Sequence, residues 1–182
     1  MAFANIEGNK SRWLMTFGLV LATFLSVVFS ANALRPNVPF LYVGPNSLLQ
    51  FKNLSGMSFV GLDLTNVDLT GANLSQTDFT GTNLRGAIFT GAVLQNTALD
   101  GAIIDGAKFN GATIRNSSFF NSSLVRADFQ NATIEDSEFT ETHLTDVNFS
   151  YAIINRTTFA PGLLLDQILT ESIIDGAKWE AS

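Results

Sequence analysis

GANLSQTDFTGTNLRGAIFTGAVL, residues 71–94, is the stretch that decides the fold. Leu74, Phe79, Leu84, Phe89 and Leu94 fall at every fifth place, and two positions before each stands a small residue: Ala72, Thr77, Thr82, Ala87 and Ala92. A period of five matches neither the 3.6 of a helix nor the 2.0 of a long strand. Within a short extended segment, residues two apart point to the same side. The large centre and its small predecessor therefore both face inward, and only a small side chain fits beside a Leu or Phe near a tight corner. The two residues after each centre make that corner. Its second residue is often Gly or Asn (Gly71, Gly81, Gly86, Gly91, Asn96), as a type II turn requires, because its third residue has φ > 0. Type II corners are expected through the first half, giving way to type I or irregular turns where Arg126, Asp136, Glu141 and Arg156 replace Gly.

Outward from this stretch the pattern does not break. Every fifth residue from Leu54 to Trp179 is large and apolar, 26 positions without an insertion, and the array can be read as starting at residue 49 or 54. Alternate centres differ in kind. The series 59, 69, 79 and onward to 179 holds nine Phe and one Trp among 13, whereas 54, 64, 74 and onward to 174 holds only Leu and Ile. A period of ten places like residues on opposite sides of a four-sided coil, so two facing walls are expected to be aromatic, with rings stacked in columns. The core expected from this is Phe79, Phe89, Phe109, Phe119, Phe129, Phe139, Phe149, Phe159 and Trp179. Each buried Leu or Phe contributes roughly 1.5–3 kcal/mol before chain entropy is subtracted.

Gly71-Ala72-Asn73-Leu74-Ser75 and Thr82-Asn83-Leu84-Arg85-Gly86 resemble the pentapeptide-repeat family, whose motif reads roughly Ala-(Asp/Asn)-Leu-x-x. The resemblance is close over residues 54–159 and looser over 160–179. It implies an all-β chain, a solenoid in which four pentapeptides make one square coil of a right-handed quadrilateral parallel β-helix. At roughly 4.8 Å per coil, the array would form about six and a half coils in a rod near 30 Å long.

The N-terminus has a different composition. Lys10 and Arg12 precede an uncharged apolar run, Trp13 to Phe29, followed by Ser30-Ala31-Asn32-Ala33. Basic, apolar and small-residue regions in that order are the parts of a secretory signal peptide. Residues 1–33 are therefore expected to be cleaved on export; the alternative is an uncleaved membrane anchor at 13–29. Seventeen helical residues reach only about 26 Å, short of a hydrocarbon core of roughly 30 Å. Residues 34–53 read as a leader, irregular at Pro36, Pro39 and Pro45, in which Phe40 to Val43 could cover the first coil as repeat stacks require.

Little in the sequence suggests chemistry. There is no Cys and a single His, so no zinc set is available, and His143 reads as a solvated surface residue. No nucleophile elbow or phosphate loop is present; the expectation is no enzyme, no cofactor and no metal. A net charge of −6 argues against nucleic-acid binding, and a membrane enters only if residues 13–29 are retained. Some family members resemble duplex DNA in charge and regulate type II topoisomerases, and the run Glu135, Asp136, Glu138, Glu141, Asp146 raises that alternative for a cytoplasmic protein. Residues twenty apart should stack, however, setting Arg115 over Glu135, Arg126 over Asp146, Arg156 over Asp136, Arg85 over Asp105 and Lys108 over Asp128. Such pairs are worth tenths of a kcal/mol each and leave a mixed surface. The seven Asn-x-Ser/Thr sequons beyond residue 33, such as those at Asn116 and Asn131, follow from the repeat's own vocabulary.

Ile153, Leu163, Leu165, Ile168 and Ile173 occupy positions that elsewhere are outward and polar. They are the candidate interface for a protein partner or a homodimer through the C-terminal coils. The competing reading is a self-cap at 160–182, with a short helix after Pro161-Gly162. Taken together, the sequence describes a non-catalytic binding or scaffold module exported to a periplasm or thylakoid lumen, similar to exported family members of cyanobacteria and plastids.

Overall fold

The computed structural model describes residues 43–159 and the backbone of two further strands at 173–175 and 178–179. Every pairing between coils is parallel and joins a residue to the one twenty places later, from Leu48 with Asp68 to Phe159 with Trp179. Twenty residues make one circuit, so each circuit spends four pentapeptides, one per side. The molecule is a right-handed quadrilateral parallel β-helix.

On three sides most contacts between coils are single bridges. The first side, centred on Leu54, Leu74, Leu94, Ile114, Ile134 and Ile154, becomes a true sheet from its third coil. Its strands are β1 (Val93–Gln95), β2 (Thr113–Arg115), β3 (Thr133–Glu135), β5 (Ile153–Asn155) and β7 (Ile173–Asp175), in the order β1-β2-β3-β5-β7. The second side carries the shorter β4 (Glu138–Phe139), β6 (Thr158–Phe159) and β8 (Lys178–Trp179). The register therefore continues to Ile174 and Trp179. The proposed helix at 163–170 lies outside the described residues, as do the residues of the N-terminal segment.

The centres from Leu49 to Phe159 are all buried, and so are the residues two before them from Val67 to Ser137; Lys52 is exposed, and Met57, Leu62, Thr142 and Val147 are half-buried. The aromatic walls form as read from the sequence as far as Phe159; Trp179 is in register with Phe159, and its side chain lies outside the described residues. Phe89, Phe109, Phe129 and Phe149 stack in one column, with ring centroids 4.5, 4.5 and 5.1 Å apart. The facing column stacks Phe59 on Phe79, then Phe119, Phe139 and Phe159 beyond the single Leu99. Across the interior the two columns meet edge to face at 5.9–6.3 Å, the arrangement the ring quadrupole favours. The repeat geometry begins earlier than the Leu54 boundary: Asn46 and Leu49 already donate to Thr65 and Asp68 of the next coil.

The corners correct one expectation. Arg126, Asp136, Glu141 and Arg156 do not abandon the left-handed conformation; every corner residue from Asn46 to Arg156 holds φ between 48° and 70°. Stacking dictates this, because the N–H of the corner residue donates to the coil above, as Gly81 does to Asp100 and Arg126 to Thr145. A corner that flipped would lose its buried ladder bond, and the cost of αL for a non-Gly residue, roughly 1–2 kcal/mol, is smaller than that disruption. The corner does open, but along the first side from its third coil and not by residue type; Met57 and Thr77 N–H still close on Leu54 and Leu74 at 3.1 Å. Ala127 N–H closes the turn on Leu124 at 2.9 Å despite Arg126. On the first side Thr97 N–H instead donates to Ser117 Oγ (3.1 Å), and Ser117 N–H to Ser137 Oγ (3.2 Å). There the pairing of Gln95 with Arg115 engages the Leu94 carbonyl with the next coil, and Ser117 Oγ also donates to it at 3.1 Å. The small inward hydroxyls replace the missing turn bond, and among the described residues no buried side-chain polar atom lacks a partner.

Candidate functional site

Rings and aliphatic side chains fill the interior of the described coils, so their charged groups lie on the outer faces. Each face presents three columns: the residue before each centre, the residue after it, and the corner. The Asp or Asn before a centre has a local task that the sequence reading took only as polarity. Its side chain accepts from the backbone N–H two residues on: Asp63 from Thr65 (3.1 Å), Asp68 from Thr70 (3.0 Å), Asn73 from Ser75 (3.1 Å), Asp78 from Thr80 (2.9 Å) and Asp128 from Gln130 (3.1 Å). That N–H is the one in the repeat that makes no ladder or turn bond, and the side chain supplies its partner. The signal was the spacing itself, an Asx turn wherever Asp or Asn precedes the centre.

At Asp63 and Asp68 these bonds favour the ionised carboxylate. Hydrogen bonds from the Thr65 side chain and backbone lower the Asp63 carboxyl below its ordinary value. At Asp68 burial is the largest influence and pushes upward, but donation from Thr70 and Gln50 outweighs it and the net direction is down. The hydrogen bond from Arg115 lowers Glu135, and that from Arg156 lowers Asp136.

Four of the five expected ion pairs form: Arg115–Glu135 at 2.7 Å, Arg156–Asp136 at 2.6 Å, Arg85–Asp105 at 3.4 Å and Arg126–Asp146 at 4.0 Å. Lys108 sits in register with Asp128 without pairing; Asp128 instead accepts from Asn110 at 2.7 Å and Asn148 at 2.8 Å. Three of the five acids in the 135–146 run thus face arginine, and a fourth, Glu138, accepts from Thr140 at 2.5 Å. His143 is exposed on the third side, where its backbone donates to Ser122. Among the described residues no cluster of His, Asp and Glu converges as metal ligands do.

Of the candidate interface, Ile153 is exposed at 42% and Ile173 follows it in register on β7; Leu163, Leu165 and Ile168 lie outside the described residues. The structure adds what the sequence reading missed. Ile153 continues a column on the first side that runs Val93, Thr113, Thr133, Ile153, Ile173.

These features define a repeat solenoid with a solid apolar core and ladder-built faces. The family model described as pentapeptide repeats matches eight copies here, over residues 49–86, 78–116 and 122–159. The chain belongs to the pentapeptide repeat family. Among solved structures it is similar to the pentapeptide repeat protein Rfr23 of the cyanobacterium Cyanothece 51142, with 23% identity and a TM-score of 0.51, over 62% of this chain and 87% of that one. It is also similar to a pentapeptide repeat protein of the Arabidopsis thaliana thylakoid lumen, with 28% identity and a TM-score of 0.42, over 65% and 73%. HetL, involved in heterocyst differentiation regulation in the cyanobacterium Nostoc, is 17% identical with a TM-score of 0.33, over 85% and 92%. No curated protein is significantly similar to the chain.

Proposed function

We propose that this protein is a non-catalytic binding or scaffold module that works by protein–protein contact in an exported compartment, a periplasm or thylakoid lumen. One observation carries the binding reading. The two aromatic columns meet at 5.9–6.3 Å across the interior, which leaves the described coils no cavity between those walls for a substrate. Binding energy must then come from flat outer faces of short polar and β-branched side chains, the form of surface that recognises another protein. Export rests on the order of basic, apolar and small-residue segments across residues 10–33. The cytoplasmic topoisomerase-regulating reading is the less favoured one, because arginines neutralise Glu135, Asp136 and Asp146 where a nucleic-acid mimic needs an unbroken anionic track.

The test is the intact mass and fractionation of the protein from its own cells, followed by capture of its bound partners. A soluble species beginning at Leu34 and recovered from the exported fraction with a protein partner supports the proposal. A full-length cytoplasmic species that inhibits a type II topoisomerase refutes it.

A further inference from the structure

The four sides are not equivalent. In the column before the centres, the second side carries Asp78, Glu138 and, by register, Lys178, the third Asp63, and the fourth Asp68, Lys108 and Asp128. The first side carries no charge there at all: Asn53, Asn73, Val93, Thr113, Thr133, Ile153 and, by register, Ile173. From Val93 onward all are β-branched, on the one side whose strands reach three residues and make a five-stranded sheet. The parallel column after the centres reads Gln95, Arg115, Glu135, Asn155, Asp175.

We infer that this face pairs with the same face of a second copy, in an antiparallel dimer whose two-fold axis runs along the strands between β2 and β3. The inference rests on the binding-module reading and names its partner. A two-fold along the strand direction keeps each column opposite its own copy and reverses only the order of coils. Placed between β2 and β3, it sets Val93 opposite Ile153, Thr113 opposite Thr133, Gln95 opposite Asn155 and Arg115 opposite Glu135, each twice. Across β1, β2, β3 and β5 apolar meets apolar, hydroxyl meets hydroxyl, amide meets amide and cation meets anion, while the β7 position Ile173 falls opposite Asn73 of the coil before β1. Arg115 already bonds Glu135 within its own chain at 2.7 Å, and the two side chains remain 47% and 23% exposed. The dimer closes these two pairs into a square of alternating sign.

An axis between β3 and β5 sets Arg115 against Asp175 but opposes Thr113 to Ile173, Thr133 to Ile153 and Glu135 to Asn155, and axes level with β2 or β3 fail on charge. An axis level with β2 opposes Arg115 to Arg115, and one level with β3 opposes Glu135 to Glu135. A two-fold parallel to the stack sets each β-branched residue against a Gln, Arg, Glu or Asn. Five strands span only about 24 Å, so the interface falls below the standard size of roughly 800 Å² per partner and the dimer is weak and concentration-dependent.

The experiment is sedimentation of the protein as its cells process it, across the micromolar range, with Arg115→Glu, Glu135→Arg and the double swap. A dimer is expected whose dissociation constant rises about tenfold or more in each single variant and returns toward the starting value in the swap. A protein that stays monomeric throughout overturns the pairing while leaving partner capture to judge the binding reading. A dimer indifferent to the single changes, or one that the swap fails to restore in a folded protein, overturns it too. Should the single variants fail to fold, a spin label on Thr113→Cys decides, since the chain has no other Cys. Two labels at short range support the pairing, and a dimer with distant labels overturns it.

Discussion

Phe109 and Phe59 make a matched pair for weighing ring stacking against simple burial. Both are buried to within 1%, so each loses the same transfer free energy on substitution. They differ in ring contacts. Phe109 stacks on Phe89 and Phe129, both at 4.5 Å, and meets Phe119 edge to face at 6.2 Å; Phe59 stacks only on Phe79, at 5.2 Å. Leu is the right probe, because the chain itself seats Leu99 and Leu69 in these columns. At about 0.5–1.5 kcal/mol per aromatic pair beyond its burial, three contacts put the loss in Phe109→Leu at about 1.5–4.5 kcal/mol, and one contact puts Phe59→Leu at about 0.5–1.5 kcal/mol. Repacking around Leu moves both values toward the low end. Urea unfolding followed by two probes, fluorescence and far-ultraviolet circular dichroism, gives both numbers and checks that the transition is cooperative. Equal losses at the two sites would show that the columns are held by buried area alone and that the stacking argument is wrong.

Three further outcomes follow from the corners and charges. Ser117→Ala removes the acceptor of the buried Thr97 N–H and should cost about 1–3 kcal/mol; in Ser122→Ala, which removes a hydroxyl that only donates to Phe119, thermal melting should shift much less. Arg126→Gly relieves αL strain at φ 58° and gives up only an exposed 4.0 Å pair, so urea unfolding should show a gain of up to about 1 kcal/mol. Glu135 and Asp136, each lowered first by its arginine hydrogen bond, have folded values below the ordinary 4.5 and 3.8. A depressed carboxylate contributes stability above its unfolded value and loses it as pH falls through the folded one. The melting temperature should therefore be insensitive to these groups above about pH 5 and fall below about pH 4, and Arg156→Ala should make that acid slope shallower.

How much of this was legible beforehand divides along physical lines. Leu74, Phe79 and their successors announce the coil because an inward residue must be apolar wherever it falls, so burial writes a period into the sequence. The alternation of Phe with Leu and Ile revealed the facing aromatic walls for the same reason. Corner conformation was not readable at Arg126 or Asp136, since bonds to a residue about twenty places away, and not local preference, hold φ positive there. The Asx bonds of Asp63 and Asp78 were overlooked because a polar residue on an outer face seemed explained by solvent alone. The charge-free column from Val93 to Ile173 could not be seen as one surface until the pairing of every twentieth residue placed its members side by side.

Amide hydrogen exchange, resolved residue by residue, tests the coil itself. The account predicts a period of five across residues 54–159. Amides at centres and corners, such as Phe79 and Gly81 bonded to Ala98 and Asp100, should be slow. Those just after the centres, such as Ser75 and Thr80, held only by a side chain, should be fast, whereas Arg115 and Glu135 in the first-side sheet should be slow. Uniform protection, or protection spaced as in a helix, would contradict it.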